Sequence, residues 1–406
     1  MNQLAPIIAT LRRHKVAAFL IGMEIALACA VLCNACFMVV SRIQAMQVHS
    51  GVDESSLAVV TLTGFDPAQA SDLNARILDG LRRIPGVQSA SVVNAVPFGQ
   101  PAGNAGISLD PDGKHRAAVP HFYVGSPGAM EALGVKLVEG RRFSADDFHP
   151  MNSFVPDSPA SVVVTRTLAD HLWPDGKSLG KMFYVDRLSF RVIGVVEHLS
   201  RPTAGEEGPQ SFDWSVLAAG TPGAKFAGSY LLRADPAQLS RVLREAKEAV
   251  ATVAPDAVLD EENSQSISDL RTAYFRQDKA MAGMLVGIIV GMLMVTALGI
   301  VGLASFWVQQ RRRQIGIRRA IGATRGDILR YFQTENFLIV SGGIAVGMVL
   351  AFFLNVMLMQ RYEMPRMPFF YLPVGALALW SLGQLSVLAP ALRAAATPPV
   401  VAMRSS

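Results

Sequence analysis

Cysteine is nearly absent from these 406 residues: there are three, Cys29, Cys33 and Cys36, all in one apolar stretch near the N-terminus. The long hydrophilic middle of the chain has none, so it folds without disulfides. At i, i+4 and i+7 the three cysteines share a helix face, but no fourth metal ligand lies nearby, which favours small apolar packing residues. Catalytic motifs are missing too. There is no Gly-x-Ser-x-Gly elbow. Gly176-Lys177-Ser178 copies the end of a phosphate-binding loop, but His171 stands where the first glycine is required. Six of the seven histidines (49, 115, 121, 149, 171 and 198) are scattered without the close helical spacing of a zinc site. These absences argue against a metallohydrolase or a serine hydrolase, and no metal is expected.

Charge is absent in a more informative way. Residues 280–308, 337–359 and 369–392 contain no Asp, Glu, Lys or Arg, and residues 16–40 carry only Glu24. Each run covers a hydrocarbon core of roughly 30 Å at about 1.5 Å per helical residue, which makes four transmembrane helices. A cleaved signal peptide is the rival reading of the N-terminus, but 16–40 is longer than an h-region of roughly 7 to 15 residues. Leu4 to Leu11, ahead of it, reads as an interfacial helix.

Basic residues then sort by side. Arg12, Arg13 and Lys15 precede the first span, seven arginines lie between Arg311 and Arg330, and Arg393 and Arg404 follow the fourth span. The opposite short loop has Arg361 and Arg366. The positive-inside rule places both termini and the Arg311 loop in the cytoplasm, and 41–279 outside. The net charge of +5 averages two unlike parts: 41–279 balances at −5 and the remainder at +10. Because the basic excess flanks the spans, topology and anionic lipid account for it and nucleic acid is not an expected partner.

The outside segment is long enough for real cores. Leu57 to Leu62 reads as a buried strand, Leu73, Ile77, Leu81 and Ile84 as the stripe of a helix stopped at Pro85-Gly86, and Val87 to Val93 as a second strand. The pattern returns with Tyr230 to Leu232 and a helix striped by Leu239, Val242, Leu243, Ala246 and Val250. Between them, Ser161 to Thr165 and Arg191 to Val196 read as strands around the turn-rich Trp173 to Lys177. Glu206 to Gln210 reads as a loop. The expected fold is an α+β integral membrane protein, with four spans and an α/β plus β-rich extracytoplasmic domain inserted between helices one and two. The boundaries are 1–15 N-terminal helix, 16–40 first span, 41–279 outside domain (α/β halves about 55–116 and 221–265 around an insertion at about 117–220), 280–308 second span, 309–336 cytoplasmic loop, 337–359 third span, 360–368 outer loop, 369–392 fourth span and 393–406 tail.

Within the cytoplasmic loop, Gln310 to Ile321 can form a helix with Gly322 as a left-handed stop, and Thr324-x-x-Asp327 resembles a capping box opening another. Ile315, Ile317 and Ile321 stand amid arginines and suit docking on a cytoplasmic partner; dipping into the headgroup region is the alternative. Gly283, Gly287 and Gly291 in span two and Gly343 with Gly347 in span three repeat every four residues and permit close helix packing, within one subunit or across a dimer. Glu24, about two turns into span one, either snorkels or acts as a conformational lock.

The stretch Arg311-Arg312-Arg313-Gln314-Ile315-Gly316-Ile317-Arg318-Arg319-Ala320-Ile321-Gly322-Ala323-Thr324 closely resembles the signature loop of FtsX-like, MacB-type ABC transporter permeases. Gly140-Arg141-Arg142-Phe143, Leu172 to Gly176, Pro390 to Ala395 and Pro399 to Arg404 are similar to other parts of that family. The resemblance implies that Arg313, Ile315, Gly316, Ile317, Arg318, Arg319, Ile321, Gly322, Ala323 and Thr324 couple to an ATPase. It also implies a mechanism in which ATP-driven motion of spans one and two is transmitted to the outside domain. The MacB type carries its nucleotide-binding domain on the same chain. Here none is seen, so the resemblance implies a separate cytoplasmic ABC ATPase that binds the ATP and Mg, and no cofactor on this chain. A second permease copy or paralogue, a periplasmic adaptor and an outer-membrane channel are the other implied partners, in the bacterial inner membrane. Export of antibiotics, peptides or other amphiphiles is the leading function. Lipoprotein release, and regulation of a cell-wall hydrolase without transport, remain open.

Overall fold

The computed structural model describes residues 15–101, 103–113, 115–151, 159–203, 209–362 and 366–396. The expected Leu4 to Leu11 helix, most of the Glu206 to Gln210 loop and Pro399 to Arg404 lie outside the described residues. The chain divides into two compact units, Met1–Gln44 with Asp278–Ser406, and Ala45–Gln277.

The first helix, α1 (Lys15–Met46), is rich in Ala, Leu and Cys and has no internal Pro. In the second unit, β1 (Leu57–Thr63), α2 (Ala70–Arg82) and β2 (Val87–Val92) follow the expected order. Next come two short strands, β3 (Ile107–Ser108) and β4 (Arg116–Ala118), then β5 (His121–Gly125), α3 (Ala129–Leu133), β6 (Leu137–Gly140) and β7 (His149–Pro150). The remaining elements are β8 (Ala160–Thr165), α4 (Arg166–Leu172), β9 (Met182–Val185), β10 (Leu188–Val196), β11 (Ser215–Thr221), β12 (Ser229–Ala234), α5 (Leu239–Val253), β13 (Val258–Leu259) and α6 (Ile267–Tyr274).

Two sheets result among the described residues. A four-stranded antiparallel sheet has the order β13-β1-β12-β2, so β12 from the end of the domain inserts between β1 and β2 and splits the early β-α-β unit. Only a strand that returns from more than a hundred residues away can do this, and no local pattern announces it. The helix α2 packs on α5 beside this sheet, and buried Tyr230 donates its hydroxyl to Asn74 Oδ1 at 2.8 Å. The second sheet has nine strands along the path β4-β3-β9-β10-β8-β11-β5, with β6 on β10 and β7 on β11. It opens at Ile107, earlier than the expected boundary near 117. Ile107 is fully buried and pairs with Ala118, a two-residue strand too short for its periodicity to be read.

Residues that resemble family motifs are structural here. Gly140 sits at φ 79°, and a Cβ there would lie 2.2 Å from the Ile193 carbonyl oxygen. Arg141 forks onto Asp147 at 2.6 and 3.1 Å, holding that carboxyl far below its usual range, and Arg142 pairs with Glu131 at 2.9 Å. Trp173 is buried in the core, and Gly176-Lys177 occupies a turn. Arg271 on α6 gathers the base of the domain. It donates to Glu54 (2.6 Å) and to the carbonyls of Met46 and Val48 (2.7 Å each), and its guanidinium lies 5.0 Å over Phe98. Phe98 is a rare non-glycine at positive φ, 62°.

Candidate coupling site

Among the described residues, four helices are long and apolar enough to cross a membrane: α1, α7 (Arg276–Gln310), α9 (Arg325–Tyr362) and α10 (Tyr371–Ala396), with the short α8 (Arg312–Ala320) between α7 and α9. Three of them, α1, α7 and α9, begin before their uncharged stretches, and α10 ends beyond its own, so charged residues are carried into the helix ends.

The site is built from Arg311 outward. The backbone turns at this residue between α7 and α8, and its amide still donates to the Trp307 carbonyl at 3.1 Å. Its guanidinium lies 5.5 Å from the Trp307 ring and donates to Glu335 Oε2 at 2.7 Å, with the two side chains only 8% and 1% exposed. A single buried ion pair thus ties the start of α8 to the third turn of α9. On α8, Ile315 and Gly316 are buried, while Ile317 and Ile321 are 44% and 82% exposed. Arg318 lies 5.0 Å over the Tyr331 ring, a second tie to α9.

The C-terminus of α8 is closed by Gly322 at φ 104°, whose amide donates to Arg319, while the Ala323 amide donates to Arg318. Thr324 then opens α9. Asp327 donates its amide to Thr324 Oγ1 at 3.2 Å, and the Asp327 carboxylate accepts from the Thr324 amide at 3.0 Å. Both ends of the elbow are set by local hydrogen bonds, so the two isoleucines are presented on a short fixed helix. Gly322 is the position where positive φ requires glycine. Arg313 and Arg319 complete the basic surface, and Ala323 the turn.

The five glycines separate into two groups. A Cβ on Gly343 would lie 2.8 Å from the Gly22 carbonyl oxygen, and one on Gly347 would lie 2.5 Å from Cys29 Cβ. These two let α9 lie against α1 within one chain. Gly283, Gly287 and Gly291 meet nothing within 4 Å, so they do not pack inside the described subunit. Asn34 reinforces the first contact by donating to the Ala351 carbonyl at 3.0 Å, and Cys33 fills the space beside Gly375 on α10. Glu24 lies part-buried on α1. It faces Gly299 on α7, and its buried Oε1 has no partner among the described residues. The side chain of Glu24 is directed sideways into a neighbour whose missing Cβ makes the room.

Glu335 went unrecognised in the sequence, yet a signal was present. Ile328, Phe332, Glu335 and Ile339 follow helical spacing, and the other three are buried, so the carboxylate falls on the packed face of α9. Among the described residues no group of three His, Cys, Asp or Glu converges to hold a metal.

Residues 286–399 match the family described as FtsX-like permease C-terminal, and residues 21–261, over half the chain, match the MacB-like periplasmic core domain. The chain is 27% identical over 276 residues to the macrolide export ATP-binding/permease protein MacB of Chromobacterium violaceum, covering 66% of this chain and 41% of that protein. It is 24% identical over 302 residues to the uncharacterized ABC transporter permease YvrN of Bacillus subtilis, covering 70% of each. Among solved structures, the periplasmic region of MacB from Actinobacillus actinomycetemcomitans aligns with 57% of this chain and 97% of its own at 16% identity and TM-score 0.36. With its four long apolar helices and inserted α/β domain, the chain belongs to the FtsX-like ABC transporter permeases that carry a MacB-like periplasmic core domain.

Proposed function

We propose that this chain is the permease subunit of an ATP-binding cassette export system, driven by a separate cytoplasmic ABC ATPase that docks on the α8 elbow. The observation that carries this reading is the pair Ile317 and Ile321, exposed among arginines on a short helix clasped to α9. Exposed apolar residues on a rigid element suit a protein partner, because little ordering entropy is lost on docking. Arg313, Ile315, Gly316, Arg318, Arg319, Gly322, Ala323 and Thr324 serve this surface as its charge, its buried anchor and its turn. The arginine count orients the elbow toward the cytoplasm and the inserted domain toward the periplasm. ATP and Mg bind the ATPase. The motion passes through α1 and α7, which flank the inserted domain in the chain, and Gly283, Gly287 and Gly291 offer α7 for contact with a second permease copy.

Kinship with macrolide export proteins supports antibiotics, peptides or other amphiphiles as cargo, handed to a periplasmic adaptor and outer-membrane channel. The test is reconstitution in a native-like bilayer with a candidate ABC ATPase. Wild type should bind it and change its ATP turnover, while Ile317→Asp with Ile321→Asp should insert normally and do neither. Equal binding and turnover by the two proteins would refute the docking assignment.

A further inference from the structure

We propose that the inserted domain holds a binding site for a small, uncharged, fused-ring or aromatic molecule. A cavity of about 480 Å³ opens where α3 lies beside the nine-stranded sheet. Tyr123 and Leu217, paired across β5 and β11, line one side, Met130 and Leu133 of α3 a second, and Phe143 and Phe148 a third. Val93, which follows β2, lines it too, so an occupant would meet residues from both sheets of the domain.

The chemistry of the occupant follows from the lining. Tyr123, Ser126, Glu131 and Ser144 are its polar side chains, and each is already engaged. Tyr123 donates its hydroxyl to the Ser200 carbonyl at 2.6 Å, Ser126 Oγ accepts from the Val92 amide at 2.9 Å, Ser144 donates its hydroxyl to Asp147 at 2.8 Å, and Glu131 accepts from Arg142 at 2.9 Å. Glu131 and Ser144 are exposed, so what remains of their bonding capacity is met by water. An ion, a sugar or a peptide backbone would give up its own water here for Val, Leu, Met, Ala and Phe, a loss that an uncharged ring system avoids. Size narrows the choice further. A dry apolar cavity of about 150 Å³ takes one benzene ring, so this one exceeds what a single side chain of a partner protein would fill and matches a small molecule. It is also far larger than an ordinary packing fault, since natural interiors hold few voids bigger than a water molecule. Its aromatic wall is formed in advance: Phe143 and Phe148 meet edge to face with centroids 6.1 Å apart, on a turn closed by hydrogen bonds among Ser144, Asp147 and Arg141. A ring entering beside them and Met130 meets aromatic edges and a thioether sulfur, with little ordering entropy to lose. All of these residues belong to the inserted domain, so the inference does not depend on the elbow binding an ATPase.

Methyl-labelled methionine NMR of the full chain in lipid nanodiscs reads the site directly, because Met130 lines it and Met130→Leu assigns the signal. The probe is 2-naphthol, with 2-naphthoate and 2-naphthylmethylammonium as charged counterparts on the same rings. The Met130 methyl of wild type should shift saturably with 2-naphthol, and about tenfold more of either charged counterpart should be needed for the same shift. Phe143→Ala with Phe148→Ala should weaken 2-naphthol roughly tenfold, which corresponds to about 1.4 kcal/mol for the lost aromatic contacts. Leu109→Ala, at an exposed apolar residue away from the cavity, should leave binding unchanged. Unshifted methionine signals elsewhere show that a variant keeps its fold, and the comparison of the three probes on wild type decides the matter even if the double variant does not fold. A Met130 signal that stays in place, or that drifts without saturating as the probe partitions into lipid, would overturn the site. Equal or tighter binding of a charged counterpart would move recognition to Glu131 or Arg142 and overturn the uncharged reading.

Discussion

Breaking the Arg311–Glu335 pair should be far more damaging one residue at a time than both together. Glu335 is 1% exposed and its only described ionic partner is Arg311 at 2.7 Å, while its Oε1 has no hydrogen bond among the described residues. Arg311→Met would leave that carboxylate buried and unpaired, and we expect a loss of about 4 kcal/mol, within the range for orphaned buried charges. Glu335→Leu would leave the guanidinium on the Trp307 ring, near the carbonyl end of α7, which offsets part of the penalty. A loss of about 3 kcal/mol follows there. The double variant removes both charges and fills the space with apolar atoms, so it should lie within about 2 kcal/mol of wild type. The coupling energy is then at least about 5 kcal/mol, well outside additivity. Unfolding in mixed micelles with increasing dodecyl sulfate, followed by tryptophan fluorescence, measures all four corners of the cycle. If the single variants lose less than about 1 kcal/mol each, or the double variant equals their sum, the pair is not a buried electrostatic clasp.

Gly347→Ala should destabilise the helical unit by about 1 to 3 kcal/mol, because its Cβ would press on Cys29 and the Ala26 carbonyl; Gly287→Ala should be neutral or stabilising in the isolated subunit, and thermal unfolding in detergent distinguishes them. His121 is buried beside Tyr123 and Arg201, and burial first, then the Arg201 charge, pushes its pKa down to about 3. The unfolded chain therefore takes up a proton below about pH 6.5 that the folded domain refuses, so stability falls as pH drops from 6.5 toward 3, by up to about 1.4 kcal/mol per unit. His121→Phe should flatten the part of that slope above pH 4, where Asp147 does not yet protonate, and an unchanged profile would contradict the assignment. Arg271→Gln should cost about 2 to 4 kcal/mol and raise hydrogen exchange at residues 46–56, since one guanidinium serves Glu54 and the carbonyls of Met46 and Val48; unchanged exchange there would refute its role as a clasp.

The sequence alone determined what depends on neighbours along the chain. Uncharged runs long enough to cross a bilayer, the split of positive charge, the Gly322 stop and the Thr324 cap are all local, because solvation and backbone hydrogen bonding act over a few residues. The strands around Val60, Val163 and Leu231 were legible for the same reason. What the tertiary structure decided are the pairings between distant segments: β12 entering between β1 and β2, Arg311 meeting Glu335, Gly343 and Gly347 facing α1 while Gly283, Gly287 and Gly291 face away, and Glu24 opposite Gly299. A glycine repeat or a lone carboxylate has the same sequence signature whichever neighbour it meets. Its partner is chosen only when whole helices and sheets bury their surfaces against one another.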